Sequence, residues 1–251
     1  MAVPPELISA FIGAAGGAGV AWLSYRAQAA RERTQEIRDV LVKVVELRER
    51  LSELPAKPLA QQAEFGSLLN TRRALYLAIA EDLERKAGRR LTAHDYNILG
   101  YENLLDSDFL GARRYYERGL HKAQRADVLT QTISTRSLAA YFYAPGPEYD
   151  PDEGDRRFQA AVDLTIELAN PYMLYTTGYT LEMWATSLMA AGRSGWDERL
   201  AEARRCYEDL PEWMSPLRET TLASLAAKEQ QATQGQYASL PRLVTPTPPT
   251  Q

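Results

Sequence analysis

The chain has 251 residues, a formal net charge of −4, 25% charged residues and 45% hydrophobic residues. These are the proportions of an ordinary folded domain, and because basic residues are not in excess we expect no nucleic-acid partner. A single cysteine, Cys206, excludes an internal disulfide, and with only two histidines besides it we expect no metal site.

The first predicted element is residues 7–25, a run without a charged side chain. Its length is close to the ~20 residues that span a bilayer as a helix. Arg26, Arg31 and Arg33 follow the run, and positive charge on this flank predicts that the rest of the chain faces the cytoplasm. We therefore expect residues 1–25 to form a single-pass membrane anchor. A buried helix of a soluble protein and a cleaved secretory signal stay open, because the middle of the run is rich in Gly and Ala.

Two small residues of this run, Gly13 and Gly17, are spaced as G-x-x-x-G. Small residues at this spacing let two helices approach closely in lipid, so the pair predicts anchor packing in a homodimer. The alternative is that Gly and Ala are simply common in membrane helices.

Residues 26–57 predict an amphipathic connecting helix that ends at Pro55 and Pro58. Its apolar residues recur at spacings of three and four, which is typical of a coiled-coil seam. Packing onto the following domain and a short membrane-proximal coiled coil both fit this pattern. The seam consists of Ile37, Val40, Val44, Leu47, Leu51 and Leu54.

The remainder of the chain predicts only helices, since no stretch alternates apolar and polar residues as a strand does. We expect an all-α domain over residues 58–234 and a disordered Pro- and Thr-rich tail over residues 235–251. On the first of these helices, Phe65, Leu68, Leu69, Leu75, Ile79 and Leu83 share an apolar face. The predicted helices are residues 62–87, 93–106, 109–123, 127–144, 155–169, 171–191, 197–210 and 216–233.

Residues 93–126 contain two helices joined by a tight turn, with small residues where the helices cross. This stretch resembles a tetratricopeptide repeat, a helix–turn–helix unit of ~34 residues. It departs from that pattern at Asn103, Gly119 and Gln124, and the later helices match it only loosely. The resemblance implies a right-handed α-solenoid of several helix pairs, since one pair cannot bury its own apolar face. The residues that support it are Tyr96, Leu99, Gly100, Asp108, Phe109, Ala112 and Tyr116.

In such a stack the resemblance implies that the first helix of each pair lines a groove for an extended peptide. The alternative is that the polar residues of these helices are ordinary exposed side chains. The candidate groove residues are His94, Asn97 and Tyr101 on one first helix, and Gln131, Thr135 and Arg136 on the next.

A second candidate surface is aromatic. Tyr172, Tyr175 and Tyr179 share one face of their helix, while the opposite face is apolar. Tyrosine offers both area and a hydroxyl to a partner, so the face is either core or a partner interface.

No phosphate-binding loop, zinc-protease motif or nucleophile elbow occurs in the sequence, so we expect neither an enzyme nor a cofactor. The expected function is that of a membrane-tethered adaptor or scaffold that binds a peptide or protein partner. The alternative is a soluble or weakly anchored regulatory or sensory helical domain that works with a separately encoded effector.

Overall fold

The predicted all-α fold is confirmed for the part of the chain that the structure, a computed structural model, describes. The described backbone covers residues 5–56, 59–87, 91–168 and 170–234. Side chains are described from Gln28 to Gln234, apart from residues 30, 56–61, 63–64, 87–90 and 169. The helices within these ranges are α1 (Pro5–Ser52), α2 (Leu59–Ala87), α3 (Ala93–Leu105), α4 (Phe109–Ala123), α5 (Val128–Phe142), α6 (Pro151–Asp163), α7 (Pro171–Ala190), α8 (Trp196–Glu208) and α9 (Ser215–Thr233). Single turns of 3-10 helix lie at Leu54–Ala56 and Glu212–Met214.

These helices form two compact units, Met1–Leu91 and Thr92–Gln251. The sequence places the domain boundary near residue 58, whereas α2 belongs to the first unit because it packs against α1. Pro55 therefore lies in a turn between two helices of the same unit.

Within the first unit, the predicted seam of α1 is buried except for the half-buried Leu51. The apolar face predicted for α2 is mostly exposed, as at Phe65 and Leu75. The buried side of α2 contains Leu77 and Ala80, which lie on a different face of the helix. The face predicted from helical periodicity is therefore right for the seam of α1 and wrong for the packed side of α2.

Among the described residues, no helix is both long enough and apolar enough to cross a bilayer. The predicted anchor of residues 7–25 lies within the backbone of α1, but its side chains are outside the described part. The anchor, its orientation and the packing of Gly13 and Gly17 therefore stay predictions. The predicted tail, residues 235–251, also lies outside the described residues.

The second unit consists of helical hairpins followed by one further helix. The pairs α3–α4, α5–α6 and α7–α8 make the closest contacts, and α9 packs on α7 and α8. The first helices of successive pairs also touch one another, so that α3, α5, α7 and α9 are in contact in series. We call the surface formed by these four helices the first-helix surface. This arrangement is compatible with a helical-repeat fold.

Short polar side chains fix where these helices begin. Thr92 and Asp95 form a reciprocal capping box at the start of α3, and Asp127 accepts a hydrogen bond from the Thr130 N–H at the start of α5. Helix α6 begins at Pro151, earlier than predicted, because Asp150 accepts the Glu153 N–H at 3.0 Å. A capping aspartate followed by proline thus converts part of the predicted acidic loop into the first turn of a helix.

Small residues stand on the first helix of each pair at a constant spacing: Gly100, Ala139 and Gly178 are 39 residues apart and all are buried. A methyl group added at Gly100 would lie 2.8 Å from the ring of Tyr116 on α4. One added at Gly178 would lie 2.7 Å from the ring of Tyr207 on α8. In these two pairs, an aromatic ring of the second helix therefore sits directly on the backbone of the first helix.

We expect Gly100→Ala to lower the free energy of unfolding by about 1–2 kcal/mol, because the overpacking cost exceeds the gain in helix propensity. Chemical denaturation of the full chain, followed by circular dichroism, measures the change. Glu219→Ala, at an exposed position of α9, is the control and should change the stability by less than about 0.5 kcal/mol. A Gly100→Ala protein as stable as the wild type would contradict this packing.

Candidate functional site

Three tyrosines of α7 and one tryptophan form two ring pairs along α7. Tyr175 and Tyr179 are stacked with their centroids 6.2 Å apart, and Tyr172 lies 5.8 Å from Trp213. Tyr172 is 59% exposed, Tyr179 38% and Trp213 62%. Tyr175 is half-buried and lies 6.0 Å from the core ring of Tyr207. We call these four residues, Tyr172, Tyr175, Tyr179 and Trp213, the aromatic strip.

The strip combines the two alternatives that the sequence left open. Tyr175 joins the core, while Tyr172 and Tyr179 expose large parts of their rings to solvent. Trp213 was missed by sequence reasoning because it lies in the short turn before α9, where no helical periodicity marks a face. The strip is about 10 Å long along α7, since seven residues separate Tyr172 from Tyr179 at 1.5 Å each.

Arg136 of α5 ends this strip on the side of Tyr179. Its guanidinium carbon lies 4.6 Å from the centroid of the Tyr179 ring. Its Nη1 is 3.5 Å from the Thr180 hydroxyl oxygen, the outer limit of a hydrogen bond. Burial lowers the pKa of the Arg136 guanidinium, and the neighbouring tyrosines only partly oppose this effect.

Arg136 contacts the Tyr179 ring and the Thr180 hydroxyl, and within the described part of the chain no carboxylate forms an ion pair with it. A guanidinium has five N–H donors, and a desolvated cation without an anion is costly. The attraction of the Tyr179 ring compensates in part, by ~0.5–2 kcal/mol. Arg136 therefore retains an unused capacity to bind an anion.

The contact between α3 and α5 includes a neutral hydrogen bond. The side-chain amide of Asn97 donates to the Ser134 hydroxyl at 3.0 Å, and both residues are buried. The amide oxygen of Asn97 has no hydrogen-bond partner among the described residues. Thr135 is also buried, and its hydroxyl donates to the Gln131 carbonyl at 2.9 Å. The structure thus places two of the predicted groove residues, Asn97 and Thr135, within helix contacts.

The other predicted groove residues lie nearer the surface. His94 and Tyr101 are exposed on α3, which contacts α4 and α5 but not α7. Gln131 is half-buried, and its amide donates to the Ala126 carbonyl at 2.9 Å. Of the predicted set, only Arg136 is brought into contact with the aromatic strip.

The contact between α7 and α9 is built around one buried carboxylate. Glu182 accepts hydrogen bonds from the Tyr207 hydroxyl at 2.7 Å and the Ser224 hydroxyl at 3.3 Å, and it forms an ion pair with Lys228. Burial, followed by the hydrogen bond to Glu182, raises the pKa of Tyr207. Sequence reasoning missed this cluster, although Glu182 is the one charged residue within α7. An isolated acid in an apolar helix is the signal that could have found it.

An open cleft of about 400 Å³ lies beside the loop between α5 and α6. Its charged side chains are already matched: Arg113 pairs with Glu148 at 2.7 Å, and Arg157 pairs with Glu153 at 2.6 Å. Because of these internal ion pairs, no side chain of the cleft resembles Arg136, which is desolvated and has no opposite charge beside it.

Groups with catalytic potential are few among the described residues. Cys206 is half-buried, and burial raises the pKa of its thiol, which reduces the reactive thiolate. Within that same part of the chain, no three His, Cys, Asp or Glu side chains are grouped closely enough to hold a metal ion.

Comparison with protein-family models, with curated proteins and with solved structures gives no match to this chain.

Two substitutions on the first-helix surface should have opposite effects on stability. We expect Arg136→Met to raise the free energy of unfolding by about 1 kcal/mol, because it removes a desolvated charge that lacks an anion. We expect the matched Glu182→Met to lower it by about 3 kcal/mol, because it leaves Lys228 and the Tyr207 hydroxyl without their acceptor.

Chemical denaturation at neutral pH measures both changes. Glu219→Met, at an exposed position of α9, is the control for a methionine on this unit. A destabilised Arg136→Met protein would show that Arg136 has a structural role, and it would contradict the interpretation of its guanidinium as an unfilled anion site.

Proposed function

We propose that the chain is a protein-interaction module that is tethered to a membrane, with the second unit binding a peptide or protein partner. The partner lies on the first-helix surface, against the aromatic strip. The second unit acts as a short right-handed helical repeat of the tetratricopeptide type, in which three helix pairs are followed by α9. The anchor holds this unit at the cytoplasmic side of the membrane.

One observation supports the binding function above all: exposed aromatic rings on α7 and in the turn before α9 lie beside a cation that no described carboxylate pairs with. Tyr172, Tyr179 and Trp213 expose large apolar surfaces next to one another. Aromatic residues and arginine are the side chains that most often dominate the binding energy of interfaces. A purely structural role would bury the rings and would pair the cation with a carboxylate, as Lys228 of α9 is paired with Glu182 of α7.

The repeat interpretation is supported by equivalent positions on successive helices. With Gly100, Ala139 and Gly178 aligned, Asn97, Arg136 and Tyr175 also fall 39 residues apart. The second helices repeat a small residue followed four positions later by an aromatic, as in Ala112–Tyr116, Gly154–Phe158 and Ala203–Tyr207. All six of these second-helix residues are buried. The three helix pairs thus share these packing positions and carry different side chains at the equivalent positions of their first helices.

The binding surface is tested by replacing its exposed rings together. In cells that express the full chain, Tyr172→Ser with Tyr179→Ser and Trp213→Ser should abolish capture of the partner, which mass spectrometry identifies. The purified partner should then bind the wild type directly and bind the variant at least tenfold more weakly. Glu219→Ser with Arg205→Ser, at exposed positions of α9 and α8, is the matched control and should leave binding unchanged. Equal capture by all three proteins would refute the proposed surface.

The tether is tested separately by fractionation. We expect the full chain to stay in the membrane pellet after an alkaline carbonate wash, because a spanning helix is released only by detergent. Gly17→Arg with Val20→Arg places two charges in the run and should release the chain, since each costs ~2.5–3.5 kcal/mol at the centre of a membrane helix. Wild-type chain in the supernatant would contradict the tether and would favour the soluble regulatory alternative.

A further inference from the structure

The guanidinium of Arg136 lies at one end of a row of exposed rings, and this placement bears on the chemistry of the partner. Its position is equivalent to that of Asn97 on α3 and Tyr175 on α7. Asn97 is matched within the fold by Ser134, and Tyr175 by the rings of Tyr179 and Tyr207. Of these three equivalent residues only Arg136 is charged, and no described carboxylate forms an ion pair with it.

The number of charges favours a carboxylate over a phosphate. The described ring contacts at this end of the strip involve a single guanidinium: Arg136 lies over the Tyr179 ring, and Tyr175 stacks on Tyr179. One guanidinium neutralises one carboxylate, which it binds with two parallel hydrogen bonds. A phosphate dianion would retain a charge beside the rings of Tyr175 and Tyr179.

The length of the strip fixes the spacing of the partner's residues. Tyr172 and Trp213 form an exposed ring pair at the other end of the strip, about 10 Å from Tyr179 along α7. An extended peptide advances ~3.3 Å per residue, so about three residues span that distance. The two ends of the strip therefore select two side chains of one short segment.

We propose that the second unit recognises an acidic segment of a protein partner, in which an aspartate or glutamate binds Arg136 and an apolar side chain about three residues away packs on Tyr172 and Trp213. This inference rests on the proposed function, since it specifies what the first-helix surface binds. The carboxylate displaces water from the guanidinium and completes the hydrogen bonds that the fold leaves unused.

Selection from a phage library of random decapeptides tests the proposal, with the full chain immobilised in a non-ionic detergent. The wild type should enrich peptides with an acidic residue about three positions from an apolar one. Arg136→Gln should lose the acidic preference and keep the apolar one, while Tyr172→Ala with Trp213→Ala should do the reverse. Arg205→Gln, on the exposed side of α8, is the matched control and should select the same peptides as the wild type.

Binding of one selected peptide, measured by fluorescence anisotropy, then isolates the ion pair. Replacing its acid by the matching amide should weaken binding to the wild type by about tenfold or more, as loss of a charged hydrogen bond does. The same replacement should change binding to Arg136→Gln by less than about twofold, because the two changes remove one interaction. The melting temperature of Arg136→Gln should equal or exceed that of the wild type, which separates lost recognition from lost folding.

Each contrary result has a distinct meaning. Peptides selected without an acidic preference, or with one that survives Arg136→Gln, would overturn the inference and leave the proposed function standing. A phosphoserine peptide that binds more tightly than the acidic one would overturn the choice of carboxylate. A wild-type chain that selects no peptide would refute peptide binding at this surface together with the inference.

Discussion

Close contact between an aromatic ring and a bare helix backbone is the constraint on which the second unit depends. At Gly100 and Gly178 the rings of Tyr116 and Tyr207 occupy the space that any larger side chain would need. In the middle pair, Ala139 stands at the equal spacing along the chain, and the bare backbone is that of Gly154 on α6, which faces the ring of Tyr143. These crossings bring the two helices of each pair together, and the following pair covers the apolar surface that remains. The first helices are thereby set side by side, which creates the surface on which Arg136 and the aromatic strip lie.

The three contacts between successive first helices differ in how their polar side chains are satisfied. Asn97 with Ser134 is a neutral hydrogen bond, and Glu182 with Lys228 is a buried ion pair supported by two hydroxyls. Between them, Arg136 meets rings and a distant hydroxyl but no acid. Since a satisfied polar group stabilises and an unsatisfied one does not, the middle contact contributes less to the stability of the fold than its neighbours do, and it is the contact at which we propose that a partner binds.

Much of this fold could be predicted from the sequence, because the residues that start, stop and pattern a helix lie close together in the chain. Periodicity, proline breaks and capping residues located every helix of the second unit, with errors of a few residues where Asp150 caps α6 early. Which face of a helix is covered depends on distant parts of the chain. Residues such as Phe65 and Leu75 look like core and are exposed, while Asn97 and Thr135 look like surface and are buried. The sequence pointed to Arg136 and the tyrosines of α7 separately, but only the packing of α5 on α7 brings them together. Two features could be found only in the structure. Trp213 lies in a turn without helical periodicity, and the Glu182 cluster depends on contacts between residues at least 25 positions apart in the chain.

Contact of a partner with the strip in living cells is the most direct test that the first-helix surface is the binding surface. A photo-reactive benzoylphenylalanine in place of Tyr179 should crosslink the full chain to a partner protein on illumination. The same residue in place of Arg205, exposed on the second helix α8, should give no such product. Crosslinking at Arg205 alone, or equally at both positions, would contradict the assignment of binding to the first-helix surface.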